Sequence, residues 1–154
     1  MKRTLSLVLC LIITLSTLTP FIAHAEELSE ENKEIIVFDD GSYLEIVTTS
    51  VSTRASGSKT GYKNYTYVDN SNVLQWKATL TASFTYTGTS STCTSANCSV
   101  SISNSAWYVV SNSTSRSGNT ATTNLTMGRK ALGVTVSKPS FVITLSCDKD
   151  GNLS

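Results

Sequence analysis

The sequence predicts an all-β protein, a β-sandwich of immunoglobulin-like layout, with an N-terminal β-hairpin extension behind a cleaved signal peptide. Three observations predict it. Apolar and polar residues alternate with period two over several segments, which marks strands with one buried and one solvated face. Turn-forming clusters of Gly, Asn, Asp and Ser separate these segments at short spacing, as in sandwiches and small barrels. Beyond residue 25 no window carries a helical period.

The N-terminus reads as an export signal. Lys2 and Arg3 form a positive n-region, and Leu5 to Leu18 an apolar run diluted only by Ser and Thr. Ala23 and Ala25 supply the small residues that signal peptidase requires, so cleavage is expected between Ala25 and Glu26. The run is shorter than the ~20 residues of a spanning helix and ends at Pro20. Cys10 follows Leu7-Val8-Leu9, where a lipid-attachment motif would need small residues, so it is read as part of the apolar run. The expected product is secreted and extracellular, with no transmembrane anchor after processing. Removing 25 of the 154 residues leaves 129, enough for one domain with its own core.

Processing changes the chemistry as well as the address. The chain carries a net charge of +1. Losing Lys2 and Arg3 from the 12 basic residues leaves ten against 11 acidic ones. His24, the single histidine, is lost with the signal. The remaining charge is split along the chain. Residues 26–50 form an acidic segment with Glu26, Glu27, Glu30, Glu31, Glu34, Asp39, Asp40 and Glu45 against Lys33 alone. Within it, Ile35 to Phe38 and Tyr43 to Val47 flank Asp39-Asp40-Gly41-Ser42, the pattern of a β-hairpin. Residues 51–58 read as a Ser/Thr/Gly linker. The sandwich domain is placed at 59–154 and is basic. From Val51 to Cys147, Asp69 is the one acidic residue among Arg54, Lys59, Lys63, Lys77, Arg116, Arg129, Lys130 and Lys138. The acidic segment could lie on the basic core or be held away from it.

Within the sandwich domain the first strand carries Tyr62, Tyr65 and Tyr67. In the next, Trp76, Ala78, Leu80, Ala82, Phe84 and Tyr86 share one face, and Lys77, Thr79, Thr81, Ser83, Thr85 and Thr87 the other. Cys98, Val100 and Ile102 share a face of a third. Further strands run near Ala106 to Val110 and Asn119 to Met127. Leu132, Val134 and Val136 alternate again. Ser140 to Cys147 points Phe141, Ile143, Leu145 and Cys147 inward. Turns are expected at Asp69 to Asn72, Gly88 to Asn97, Ser111 to Gly118 and Lys149 to Asn152.

From Lys59 onward the chain resembles a family of small secreted proteins of Gram-positive bacteria that is known only as a domain of unknown function. The resemblance rests on Gln75-Trp76-Lys77-Ala78-Thr79-Leu80-Thr81, Phe84 to Gly88, Cys93 to Ser99, Ser117-Gly118-Asn119, Leu145-Ser146-Cys147 and Gly151 to Ser154. It covers about the last two thirds of the chain. It implies a secreted bacterial protein and brings no catalytic residue.

Three cysteines remain after processing: Cys93, Cys98 and Cys147. Secreted cysteines are usually paired, so one bridge and one leftover thiol are expected, unless the third bridges two chains. Strand parity ranks Cys98–Cys147 first, Cys93–Cys147 second and Cys93–Cys98 third. Closing a loop of roughly fifty residues would stabilise by about 4 kcal/mol on a chain-entropy argument. A metal site lacks its fourth ligand, so no metal and no cofactor are expected. Asp148-Lys149-Asp150-Gly151-Asn152 lacks the later acidic ligands of a calcium loop and reads as a turn.

No enzyme is expected. Without histidine there is no Ser-His or Cys-His pair. The basic core offers Asp69 alone where a glycosidase needs two carboxylates. The aromatic residues are the binding candidates. Tyr65 and Tyr67 share a face, with Tyr62 and Lys63 beside them, and the adjacent Trp107 and Tyr108 point to opposite faces. Exposed aromatics stack on sugar rings and interleaved lysines hold anions, while plain core packing is the competing role. The expected function is non-catalytic binding at the cell surface or in the extracellular matrix, to an anionic polymer or a glycan. The alternative is a bacteriocin-like effector acting on anionic membranes. Nucleic acid is not an expected partner, since no groove-reading motif is present.

Overall fold

The structure is a computed structural model that describes residues 28–52 and 57–154; the expected signal sequence, with its expected cleavage residues Ala23, Ala25 and Glu26, and the centre of the expected linker lie outside them. Nine strands follow in order: β1 (Leu28–Val37), β2 (Tyr43–Ser52), β3 (Ser58–Val68), β4 (Leu74–Tyr86), β5 (Ser91–Ile102), β6 (Trp107–Ser117), β7 (Thr120–Ala131), β8 (Val134–Ser137) and β9 (Ser140–Ser146). They form two antiparallel sheets packed face to face, a β-sandwich. The first sheet has the order β1-β2-β3-β4-β5. In the second, β6 pairs with β7, and β7 pairs on its other side with β9 and β8.

The alternation in the sequence builds the core. Trp76, Ala78, Leu80, Ala82 and Phe84 on β4 are almost wholly buried, while the alternate residues from Lys77 to Thr85 are exposed or half-buried. Ala121, Leu125 and Met127 on β7 and Ile143 and Leu145 on β9 face them from the second sheet. Each fully buried Leu, Ile or Phe contributes about 1.5–3 kcal/mol relative to exposure, so these two faces hold the sheets together. Tyr67, Trp76, Trp107 and Phe141 add an aromatic cluster at one end, with ring centroids 5.2–6.3 Å apart.

Several expectations change. The first sheet is a meander, each of β1 to β5 lying beside its predecessor, and in the second β8 and β9 both pair with β7; this is not the interleaved order of immunoglobulin domains. The acidic hairpin forms, with Gly41 at φ 81° and the Phe38 amide donating to Ser42 O at 2.8 Å. It continues the first sheet: β2 pairs with β3 from Tyr43↔Val68 to Ser52↔Lys59. Gly88 to Asn97 is not a loop throughout, because β5 begins at Ser91; nor is Ser111 to Gly118 a turn, because β6 runs to Ser117. Both segments are rich in Ser and Thr, which serve strands and turns equally well. Their exposed outer positions hide the alternation.

No disulfide joins the cysteines in the structure, against the expected bridge. Cys93, Cys98 and Cys147 are buried thiols. Register places the three cysteines differently. Cys98 lies opposite Leu80, midway along β5. Cys93, by contrast, is a strand residue whose amide donates to Gly118 O, and the Cys147 amide donates to the next carbonyl, Asn119 O. Burial raises the thiol pKa of Cys93, with Arg116 opposing, and that of Cys98.

Candidate functional site

At the end of the sandwich that holds the aromatic cluster, three connections converge on a polar pocket of about 180 Å³. The β1–β2 turn supplies Asp40 and Ser42, and the β3–β4 turn supplies Asp69 and Asn70. Gln75 comes from the start of β4, Asn104 from the β5–β6 loop, and Arg129 from the far part of β7. Tyr67 and Trp107, at the adjoining strand ends, form the aromatic part of the lining.

Asp40, Asp69, Gln75 and Asn104 are held by hydrogen bonds within and between these connections. Asp40 Oδ1 accepts from the Ser42 amide at 3.0 Å and the Ser42 hydroxyl at 2.5 Å. These bonds, with a smaller contribution from Arg129, hold the Asp40 carboxyl below its ordinary range. The Tyr67 hydroxyl in turn donates to Ser42 Oγ at 3.0 Å. On the other side, Asp69 Oδ1 accepts from the amides of Ser71 and Val73, each at 2.9 Å. Asp69 Oδ2 accepts from Gln75 Nε2 at 2.7 Å. Gln75 Oε1 accepts from Asn104 Nδ2 at 2.8 Å, and Asn104 Oδ1 from the Ala106 amide at 2.9 Å. Gln75 is thus a buried amide that ties the β3–β4 turn to the β5–β6 loop. Such a connected network holds its geometry because every member is satisfied.

Trp107 is mostly buried; its ring meets Tyr67 edge-on at 5.3 Å, and the Arg129 guanidinium lies 6.0 Å from its centroid. The arrangement presents carboxylate and amide groups around an indole and a phenol ring, with one guanidinium at the rim. It suits a small ligand with several hydroxyls, each able to donate and accept. A polyanion would meet Asp40 and Asp69 against a single cation. The volume is below the ~300–1,000 Å³ of pockets for drug-sized ligands, so one ring-sized unit is the scale of ligand it admits.

Of the binding candidates, the structure brings Tyr67 and Trp107 together here and places the others elsewhere. Lys63 and Tyr65 are half-buried on the core-facing side of β3. Burial pushes the Lys63 ammonium pKa down and the Tyr65 hydroxyl pKa up, with Glu34 raising both. Tyr62 takes the opposite face of β3. Tyr108 lies on the outer face of β6, its hydroxyl 2.8 Å from Thr135 Oγ1. Asp40, Asp69, Asn70, Gln75, Asn104 and Arg129 were not among the candidates. Asp40, Asp69 and Asn70 carry the turn signal, and they do lie in turns; nothing local marks Gln75, Asn104 and Arg129.

A wider groove of about 330 Å³ lies between β5 and β6, lined by Thr94, Ser95, Ala96, Thr114, Ser115 and Arg116. It has no aromatic wall, and its guanidinium donates to the Thr94 carbonyl. The Asp148 carboxylate is likewise engaged in its turn: Oδ1 accepts from the Asp150 and Asn152 amides and Oδ2 from Asn152 Nδ2.

No protein-family model and no curated protein matches the chain. Among solved structures, a hypothetical protein from Listeria monocytogenes EGD-e is similar, with 16% sequence identity and a TM-score of 0.46, over 79% of this chain and 90% of that one.

Proposed function

We propose that this chain is a secreted, non-catalytic binding protein whose end pocket takes a sugar unit of a cell-surface or extracellular glycan. The observation that carries this reading is the convergence of Asp40, Asp69, Asn70, Gln75, Asn104 and Arg129 around Tyr67 and Trp107. Export rests on the signal sequence at 1–25, and a Gram-positive source on the resemblance of residues 59–154. The two carboxylates favour a neutral glycan over the anionic polymer that the basic composition suggested. They also disfavour glycoside hydrolysis, which needs one carboxylic acid kept protonated. The Asp40 carboxyl is instead held below its ordinary range by its bonds to Ser42.

The test is binding of isolated cell-wall polysaccharide and of a glycan array by protein recovered from the medium of an exporting host. Asn70 and Arg129 are exposed, so Asn70→Ala and Arg129→Ala should leave the thermal midpoint in place while lowering affinity about tenfold each. A neutral ligand should bind almost equally at 0.05 and 0.5 M salt, since screening acts on charge pairs. Unchanged affinity in both variants would rule the pocket out. A steep fall with salt would return the assignment to an anionic polymer.

A further inference from the structure

The β7–β8 hairpin is the least explained part of the surface. β7 pairs with β9 only over Thr120–Thr126; its end pairs with β8, from Arg129↔Ser137 to Ala131↔Val134. Residues 131–138 are all exposed. At the tip, Leu132 and Gly133 have φ of 50° and 80°, both positive, as a two-residue type I′ turn requires. Such turns favour Asn-Gly. Here a leucine occupies the left-handed position and is 104% exposed, with Val134 at 66% and Val136 at 57% behind it. Folding asks for none of this: asparagine would suit the turn better, and threonine would serve an exposed strand as well.

The residues flanking the tip are basic: Lys130 and Lys138 stand on either side of it, while Arg129, one position further back, is turned to the end pocket with Asp40 and Asp69. The hairpin is also braced. On the side away from Val134, Tyr108 lies against Gly128, its hydroxyl is 2.8 Å from Thr135 Oγ1, and the Lys130 ammonium sits 4.9 Å from its ring centroid. At ~3.3 Å per strand residue, Lys130 lies about 7 Å behind the Leu132 tip. With Leu132 at the acyl boundary of a bilayer, Lys130 would reach the phosphate level.

We propose that this hairpin docks the protein onto an anionic lipid bilayer, with Leu132, Val134 and Val136 entering the interface and Lys130 and Lys138 meeting lipid phosphates. Shallow apolar burial plus cationic attraction is the physics of interfacial anchoring. This goes beyond glycan binding, and neither Leu132 nor Lys130 lines the end pocket, so the two readings fail separately.

The test is flotation of protein recovered from an exporting host with vesicles of phosphatidylcholine and phosphatidylglycerol at 4:1, and with phosphatidylcholine alone, in 0.1 M salt. The wild type should float with the anionic vesicles and much less with the zwitterionic ones. Leu132→Asn, which fits the turn and so protects folding, should lower partitioning tenfold or more. Lys130→Gln and Lys138→Gln should each lower it about fivefold. Equal partitioning of wild type and Leu132→Asn would overturn the proposal, as would equal binding to both vesicle types. A wild-type dimer in sedimentation that Leu132→Asn abolishes, without vesicle binding, would overturn it in favour of a second copy of the chain.

Discussion

Gly128 and Tyr108 form a contact whose energetics can be worked from the structure. A Cβ built on Gly128 would lie 2.6 Å from Tyr108 Cε1 and 2.7 Å from its hydroxyl oxygen. Atoms do not approach so closely, so Gly128→Ala must displace the Tyr108 ring. Overpacking of this kind costs about 1–3 kcal/mol. The substitution also has a favourable part. Gly128 is not among the positive-φ residues, so alanine is compatible with the backbone and gains about 0.4–1 kcal/mol by restricting the unfolded chain. The net expectation is a loss of about 1–2 kcal/mol. In a Tyr108→Ala background the clash is gone, and Gly128→Ala should stabilise by its favourable part alone. The sign therefore reverses between backgrounds, with a coupling energy of about 1–3 kcal/mol. Urea denaturation of the four proteins, with constant m-values, measures it. Equal effects of Gly128→Ala in the two backgrounds would refute the reasoning.

Three further outcomes are expected. The thiols of Cys93, Cys98 and Cys147 should resist alkylation at pH 8 and label fully in 6 M guanidinium, because burial both covers them and keeps Cys93 and Cys98 protonated. If the protein is oxidised by a small disulfide, peptide mapping should find Cys93 linked to Cys147, since their amides meet consecutive carbonyls; a Cys98–Cys147 peptide would contradict the placement. Stability should stay level from pH 8 to 5, because residues 26–154 contain no histidine, and fall below about pH 4. Asp40 and Asp148 have carboxyl pKa values below the ordinary 3.8, so their stabilisation is present above that value and is lost as the pH falls through the folded-state values. Urea midpoints across this range test it, and a decline beginning at pH 6 would point to a different group.

Much of the fold was legible because strand burial repeats every second residue. The β4 pattern named its buried face residue by residue, and Ile143, Leu145 and Cys147 followed the same rule. The Asp-Gly hairpin was visible from turn chemistry. Where strands are Ser/Thr-rich and exposed on both faces, as in β6, the rule had nothing to act on. The pocket was legible only in part. Tyr67 and Trp107 stood out as aromatics, yet side-chain type alone did not separate them from Tyr62, Tyr65 and Tyr108, which the fold places elsewhere.

The sequence by itself determined the β-sandwich and its inward faces, because alternation is a local property of a pleated strand. It also set the charge asymmetry and the absence of histidine after residue 25, and with them the expectation of binding over catalysis. Tertiary structure decided the rest. Register put Cys93, not Cys98, beside the turn that meets Cys147. Sheet packing brought Asp40, Asp69, Asn104 and Arg129 from four separate parts of the chain to one end. It also left Leu132 with nothing to pack against. Those outcomes depend on which strands become neighbours, and long-range pairing leaves no mark in the local pattern of residues.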